Sequence, residues 1–224
     1  DWIIAIQALG GWLEAPMQFF TFLGSQDFFF LVLPFIYWSI DAGLGMRVAF
    51  GLIASVSLNS YFKLWFVGPR PYWVSGNVQG LSAETSFGVP SGHAQNAMAV
   101  WGIIAARIGK RVAWMLAITL AFLIGFSRLY LGVHFVHDVL AGWALGAAVL
   151  WGVLRFWDPV AAWLKSKTVT SQISLAFVMS LVMIALGYAS AARLDGYIFP
   201  EEYRVNALRA SDELPAPASL ETIV

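Results

Sequence analysis

The sequence predicts an all-α integral membrane protein with six transmembrane helices and an N-terminal interfacial helix. Three observations lead there. Of the 224 residues, 59% are hydrophobic and only 12% are charged, whereas a soluble domain carries about 25% charged residues. Apolar stretches recur at roughly the ~20 residues that a helix needs to cross a hydrocarbon core of ~30 Å. Aromatics are abundant, with 11 Trp and 17 Phe, as suits side chains anchored at bilayer interfaces. The formal net charge of +0 supplies no basic field for nucleic acid. The absence of cysteine excludes disulfides, thiolate catalysis and cysteine-based zinc or iron–sulfur centres.

Taken in order, residues 1–17 are apolar on one side but broken by Gly10-Gly11 and Pro16. They suit a helix lying on the membrane better than a seventh crossing. Spans are expected at about 20–40, 47–67, 92–108, 112–126, 134–157 and 168–192. The first contains Asp27 and Pro34, and the last has no charge at all. The longest connection, 68–89, holds Arg70-Pro71, Tyr72 and Trp73 among several Gly and Ser, and long loops in compact proteins are often functional. Beyond Arg193 the chain turns polar, with Pro200, Pro215 and Pro217, which predicts a mostly extended or disordered chain. The expected organisation is one membrane domain, 1–195, and a polar tail, 196–224.

Six crossings put both ends on one face, and the polar motifs fall there too. Lys63 and Arg70 follow span two, Pro90-Ser91-Gly92-His93 opens span three, Ser127-Arg128 closes span four, and His134 opens span five. The opposite face carries Arg47, Arg107, Lys110, Arg111, Arg155, Lys165 and Lys167. With the motif cations set aside, the motif face keeps only Arg193, Arg204 and Arg209. The positive-inside rule therefore predicts that the motif face is extracytoplasmic.

Ionisable groups at a membrane edge need a reason, because hydrocarbon penalises them. A spacing of four puts His134 and Asp138 on one helix face, where the carboxylate can hold one ring nitrogen and leave the other free. Lys63, Arg70 and Arg128 supply fixed positive charge, and the Arg forks suit phosphate oxygens. Ser91 is expected to cap a helix start, and Gly92 lets a ligand approach the free amides, which favour anions. The arrangement fits a tetrahedral oxyanion under attack. His134 would be the nucleophile, oriented by Asp138, and His93 the acid and then the base. Lys63, Arg70, Arg128 and the Ser91–Gly92 backbone would stabilise the equatorial oxygens. This scheme calls for no metal and no cofactor, since fixed cations fill the role of magnesium.

Three motifs resemble the type-2 phosphatidic acid phosphatase and vanadium haloperoxidase superfamily. They are Lys63, six residues, Arg70-Pro71; then Pro90-Ser91-Gly92-His93; then Ser127-Arg128, five residues, His134, three residues, Asp138. All are complete, in family order and spacing, over about a third of the chain. The resemblance implies the same roles for the histidines, and the spans resemble its membrane branch. That branch acts on lipid phosphates and diphosphates: phosphatidate, phosphatidylglycerol phosphate, polyprenyl diphosphate or sphingoid-base phosphate. The partners so implied are a lipid phosphate and the bilayer, with no nucleic acid; the oligomeric state is left open. A lipid transporter without hydrolysis and a vanadate peroxidase are the competing classes. The first has no need of the His134–Asp138 pair, and the second does not suit the membrane spans.

Other polar residues are read as structural. His137 precedes Asp138 directly, so its side chain should point about 100° away on a helix. Glu84 is read as solvated loop surface, Asp27 and Asp41 as interface carboxylates, and Asn59 as an interhelical hydrogen-bonding group.

Overall fold

The computed structural model describes residues 2–211 and Pro215. Every regular element among them is helical. The chain opens with α1 (Trp2–Gln7), a single 3-10 turn (Gly11–Leu13) and α2 (Glu14–Phe22). It continues as α3 (Gln26–Phe35), which runs on as a π turn over Ile36–Ile40. The long helices are α4 (Ala42–Phe66), α6 (Gly92–Ile108), α7 (Arg111–Tyr130), α8 (Val136–Lys165) and α9 (Val169–Ala192). The four-residue α5 (Pro71–Val74) lies in the loop after α4, and α10 (Glu201–Ser211) follows α9.

Local chemistry sets these boundaries. Ser25 accepts from the Phe28 amide at 3.2 Å and starts α3, while Asp41 accepts from Leu44 at 3.0 Å and starts α4. Each satisfies an amide left open at a helix start. Gly109, at φ 70°, ends α6 in the left-handed conformation. The chain then reverses within two residues into α7. Val67 ends α4 at φ 51°, an uncommon conformation for a β-branched residue, and turns the chain towards Arg70.

The protein is an integral membrane protein. Among the described residues four segments are long and apolar enough to cross a membrane: Ala42–Val74, Arg111–Tyr130, Val136–Lys165 and Val169–Ala192. A fifth is added if Gly11–Phe22 and Gln26–Ile40, bent by 50°, form one span. The expected first span is thus two helices. The break at Gly24-Ser25 arises because Ser25 caps a new helix. The 17-residue α6 is shorter than the others and packs against α4, α7 and α8 at the centre. Its contact with α8 is very close. A Cβ at Gly142 would lie 2.5 Å from the Ser91 carbonyl oxygen, and one at Gly146 would lie 2.4 Å from that of Gln95. Small residues let membrane helices approach in this way. By contrast α9 packs on α4 and buries only Gly187 and Ser190, leaving an apolar surface suited to lipid.

One expectation for the ends needs correction. The segment after Arg193 is not extended throughout, because Glu201–Ser211 forms a helix with buried Asn206 and Ala207. Beyond Ser211 the expected tail, apart from Pro215, lies outside the described residues. At the other end Ile3 is buried, and the Gln7 amide donates to the carbonyls of Gln79 and Tyr130 at 2.8 and 3.0 Å. The first helix therefore docks on the protein.

Candidate active site

The end of α4, the start of α6, the end of α7 and the start of α8 meet at one end of the bundle. Between them lies a cavity of about 370 Å³ whose lining includes Lys63, Glu84, Ser86, Gly92, His93 and His134. Asn59 and Asp27 also line it. Four of the expected residues, Lys63, Gly92, His93 and His134, therefore line one space.

His134 does not begin the helix as expected; it lies in the turn after α7, and α8 starts at Val136. Its pairing with Asp138 arises from helix capping instead. The Asp138 Oδ2 accepts the amide of Phe135, the residue before the helix, at 2.8 Å. The same oxygen stands 3.3 Å from His134 Nδ1. His134 Nε2 is turned towards Arg70 Nη1, also at 3.3 Å. With Nδ1–H held by the carboxylate, Nε2 carries the free lone pair. Burial, then Arg70, Arg128, Lys63 and His93, push His134 well below its ordinary pKa, so the ring is neutral.

Arg70 is fully buried. Its Nε donates to the Ser86 carbonyl at 2.7 Å and its Nη1 to the Val133 carbonyl at 3.0 Å. Its Nη2 reaches the Ser86 hydroxyl, the Phe87 carbonyl and Glu84 Oε2 at 3.1, 3.2 and 3.4 Å. Lys63 Nζ donates to the same Ser86 hydroxyl at 2.6 Å. Arg128, in the last turn of α7, pairs with Thr21 through Nη1 and with Glu84 through Nη2; its Nε is buried without a partner. Arg70 and Arg128 stand behind the cavity wall, with Ser86 and Glu84 in front.

Glu84 is therefore not solvated surface. Only 21% of its side chain is exposed, and its two oxygens bridge both guanidiniums. Burial alone would raise its carboxyl, but Arg128 and Arg70, with His93 and Lys63, overcome this and hold it well below the usual carboxylate range. Sequence reasoning missed this role, and that of Thr21 and Ser86. One signal was present for Glu84: it is the only acid between Gly68 and Val89.

Ser91 also differs from expectation. It precedes α6, but its hydroxyl makes no capping bond and is buried without a partner. Its amide donates to the Asp138 carbonyl at 2.9 Å. The amides left for an anion at this helix start are thus those of Gly92 and His93, whose carbonyl partners a first turn lacks. Gly92 leaves no spare room towards α4, because a Cβ there would lie 3.2 Å from the Asn59 side chain. Asn59 donates to the Pro90 carbonyl at 3.2 Å and to Gln95 at 2.9 Å, which ties α4 to α6 as expected. His137 is 69% exposed but not turned from Asp138. Its Nε2 is 3.0 Å from Oδ1, in a direction that leaves Oδ1 without a hydrogen bond. Asp41 pairs with Arg107 at 2.7 Å at the opposite end of the bundle.

The sequence profile of the PAP2 superfamily matches residues 44–161. Phosphatidylglycerophosphatase B of Bacillus subtilis (strain 168) is 34% identical over 160 residues, 65% of this chain and 75% of that protein. Glucose-6-phosphatase 3 of Homo sapiens is 31% identical over 172 residues, 66% of this chain but 49% of that enzyme. The crystal structure of a transmembrane PAP2-type phosphatidylglycerolphosphate phosphatase from Bacillus subtilis matches with TM-score 0.60 and 30% identity, over 70% of this chain and 85% of that one. Aquifex aeolicus LpxE shares the fold at TM-score 0.60 and 24% identity, over 68% and 92%. The match spans α4, α6, α7 and most of α8, the helices that carry Lys63, His93, Arg128 and Asp138, and the chain belongs to the PAP2 superfamily as an integral-membrane phosphatase.

Proposed function

We propose that this enzyme removes phosphate from a membrane lipid phosphate through a phosphohistidine formed on His134. One observation supports this above the others. His134 has one ring nitrogen 3.3 Å from Asp138 and the other 3.3 Å from Arg70, and the residue lines a space shared with Lys63 and His93. In the first step the Nε2 lone pair attacks phosphorus, the Nε2–P bond forms and the P–O bond to the lipid breaks. His93 delivers a proton to the departing oxygen. In the second step His93 takes a proton from water, the water oxygen attacks phosphorus, the Nε2–P bond breaks and inorganic phosphate leaves. Asp138 stabilises the imidazolium character that His134 acquires. Lys63, Arg70 and Arg128, with the amides of Gly92 and His93, take the charge of the equatorial oxygens. Metal ions have no part in this scheme.

The substrate class is a lipid phosphomonoester or diphosphate, among which phosphatidylglycerol phosphate, phosphatidate, a sphingoid-base phosphate and a polyprenyl diphosphate are the candidates. The first follows from the named substrate of the Bacillus subtilis relative, the third from sphingosine-1-phosphate phosphatase 2 of Mus musculus, 29% identical. We place the site on the extracytoplasmic face by loop charge. We also read six spans, counting the bent pair and α6, in one membrane domain, with the first helix at the interface.

The test is phosphate release in detergent from that lipid panel, with EDTA present. Wild type should release phosphate, His134→Ala and His93→Ala should not, and rapid quenching should trap phosphate on His134. Equal release by wild type and His134→Ala would refute the nucleophile, and loss of activity in EDTA would refute the metal-free scheme. A single cysteine in this cysteine-free chain tests sidedness: Asn77→Cys should label from outside intact cells and Ser166→Cys should not.

A further inference from the structure

The segment beyond the last long helix lies across the loop that carries Arg70. Asn206 of α10 is buried, and its Nδ2 donates to the Trp73 carbonyl at 3.0 Å. Ala207 beside it is fully buried. Ahead of α10, Phe199 meets the Trp73 ring edge-on at 5.3 Å, and Tyr197 meets Phe87 at 5.8 Å. Trp73, through its ring, and Phe87, through its carbonyl, also meet Arg70. The guanidinium carbon is 5.8 Å from the Trp73 ring centre, and Nη2 donates to the Phe87 carbonyl at 3.2 Å. Arg70 Nη1 in turn stands 3.3 Å from His134 Nε2.

Contacts therefore run from the segment 197–206 to Trp73 and Phe87, on to Arg70, and from there to His134. The loop needs such support. Between α4 and α6 its only regular element is the four-residue α5, so little of its backbone is held by a helical ladder, and segments of that kind open most easily. All the bracing residues lie beyond the stretch 44–161 that defines the family.

We propose that Tyr197, Phe199 and Asn206 form a positioning brace that fixes Arg70 against His134 and so sets how tightly the site holds a phosphoryl group. This rests on the reading of the cavity as a phosphate site. A merely structural role would be to cover apolar surface, and the two roles differ in what they make Arg70 do.

Asn206→Asp keeps the size but replaces the donor that faces the Trp73 carbonyl with an acceptor. In the full-length protein we expect kcat/KM to fall about tenfold and inhibition by inorganic phosphate to weaken by a similar factor. Arg209→Ala, on the exposed side of α10, should change neither. In an Arg70→Lys background the Asn206→Asp effect should shrink to less than about twofold, because coupled residues are not additive. The brace is refuted if Asn206→Asp lowers stability but leaves phosphate inhibition unchanged, or if its effect multiplies in full on Arg70→Lys. Should Asn206→Asp fail to fold, Phe199→Leu takes its place in the same cycle. Binding of inorganic phosphate, followed by thermal shift, reads the brace without turnover. A wild type that binds phosphate but releases none from lipids would therefore overturn the proposed activity and still decide the brace.

Discussion

Glu84→Gln probes the arrangement most directly, because one carboxylate serves two buried cations. Arg70 and Arg128 are 0% and 1% exposed, and Glu84 bridges them. Removing one partner of a buried ion pair costs about 3–5 kcal/mol. Glu84 keeps 21% of its exposure, and a glutamine oxygen still accepts from one guanidinium, so a loss of about 2–3 kcal/mol is expected. In a domain of this size that corresponds to a fall in Tm of about 5–10 °C. On the proposed reading the carboxylate also occupies the position where phosphate oxygens would meet both guanidiniums. Inorganic phosphate or vanadate should then bind the variant more tightly and recover most of the lost Tm. The sign of the pH effect follows from the depressed Glu84 pKa. Its stabilisation is present above the unfolded value of about 4.3 and is lost as pH falls through the folded one. The gap between wild type and variant should therefore be constant near neutrality and close in acid. Thermal unfolding in detergent, with and without oxyanion, measures all of this. An unchanged Tm, or a deficit that saturating oxyanion does not reduce, would refute the shared-carboxylate argument.

Asp138→Asn should lower kcat by about 10³–10⁴-fold while leaving inorganic phosphate inhibition within a few-fold, because the wrong tautomer of His134 would be held; phosphate-release kinetics decide it. The depressed pKa of His134 keeps its neutral form competent below its ordinary value near 6.5. The acid limb of kcat/KM, corrected for the substrate's own ionisation, should therefore lie below that pH, and a limb at 6.5 would contradict the assignment. Gly142→Ala places a Cβ 2.5 Å from the Ser91 carbonyl, so overpacking should cost about 1–3 kcal/mol in detergent unfolding and reduce activity through the Ser91–Asp138 bond.

The helical membrane character and the meeting of Lys63, His93 and His134 were legible because spacing and hydropathy are local signals. The His134–Asp138 contact was legible too, although its cause was not: the four-residue spacing works through a carboxylate that caps the next helix, not along a helix already formed. Glu84 was hidden because a lone loop acid gives no periodic signal, and its partners lie 14 and 44 residues away in sequence. The α10 helix was hidden by the prolines that flank it. Yet Pro200 stands just before it, Glu201 and Glu202 fill its first turn and Arg209 its last, which is how a helix is signalled in sequence. In the first span Ser25 had the same capping meaning, and the surrounding apolar residues masked it.

The two histidines owe their register to backbone contact. Gly142 and Gly146 bring α8 so close to α6 that the Ser91 and Gln95 carbonyls occupy the space where methyl groups would stand. This closeness permits the Ser91 amide to bond to the Asp138 carbonyl at 2.9 Å. His93 lies two residues beyond one end of that bond, and the Asp138 that holds His134 forms the other. Rotamer changes therefore have little leverage on the spacing between the two helix starts, since packed backbones deform less than side chains. Arg70, Ser86 and Glu84 are different: they belong to a loop held by side-chain contacts and by α10. In the proposed mechanism the site thus divides into a stiff pair of helix starts, which would serve bond making, and a softer charged wall, which would receive and release phosphate. Substitutions in the α6–α8 seam should consequently act on kcat, and those in the loop or brace on phosphate affinity.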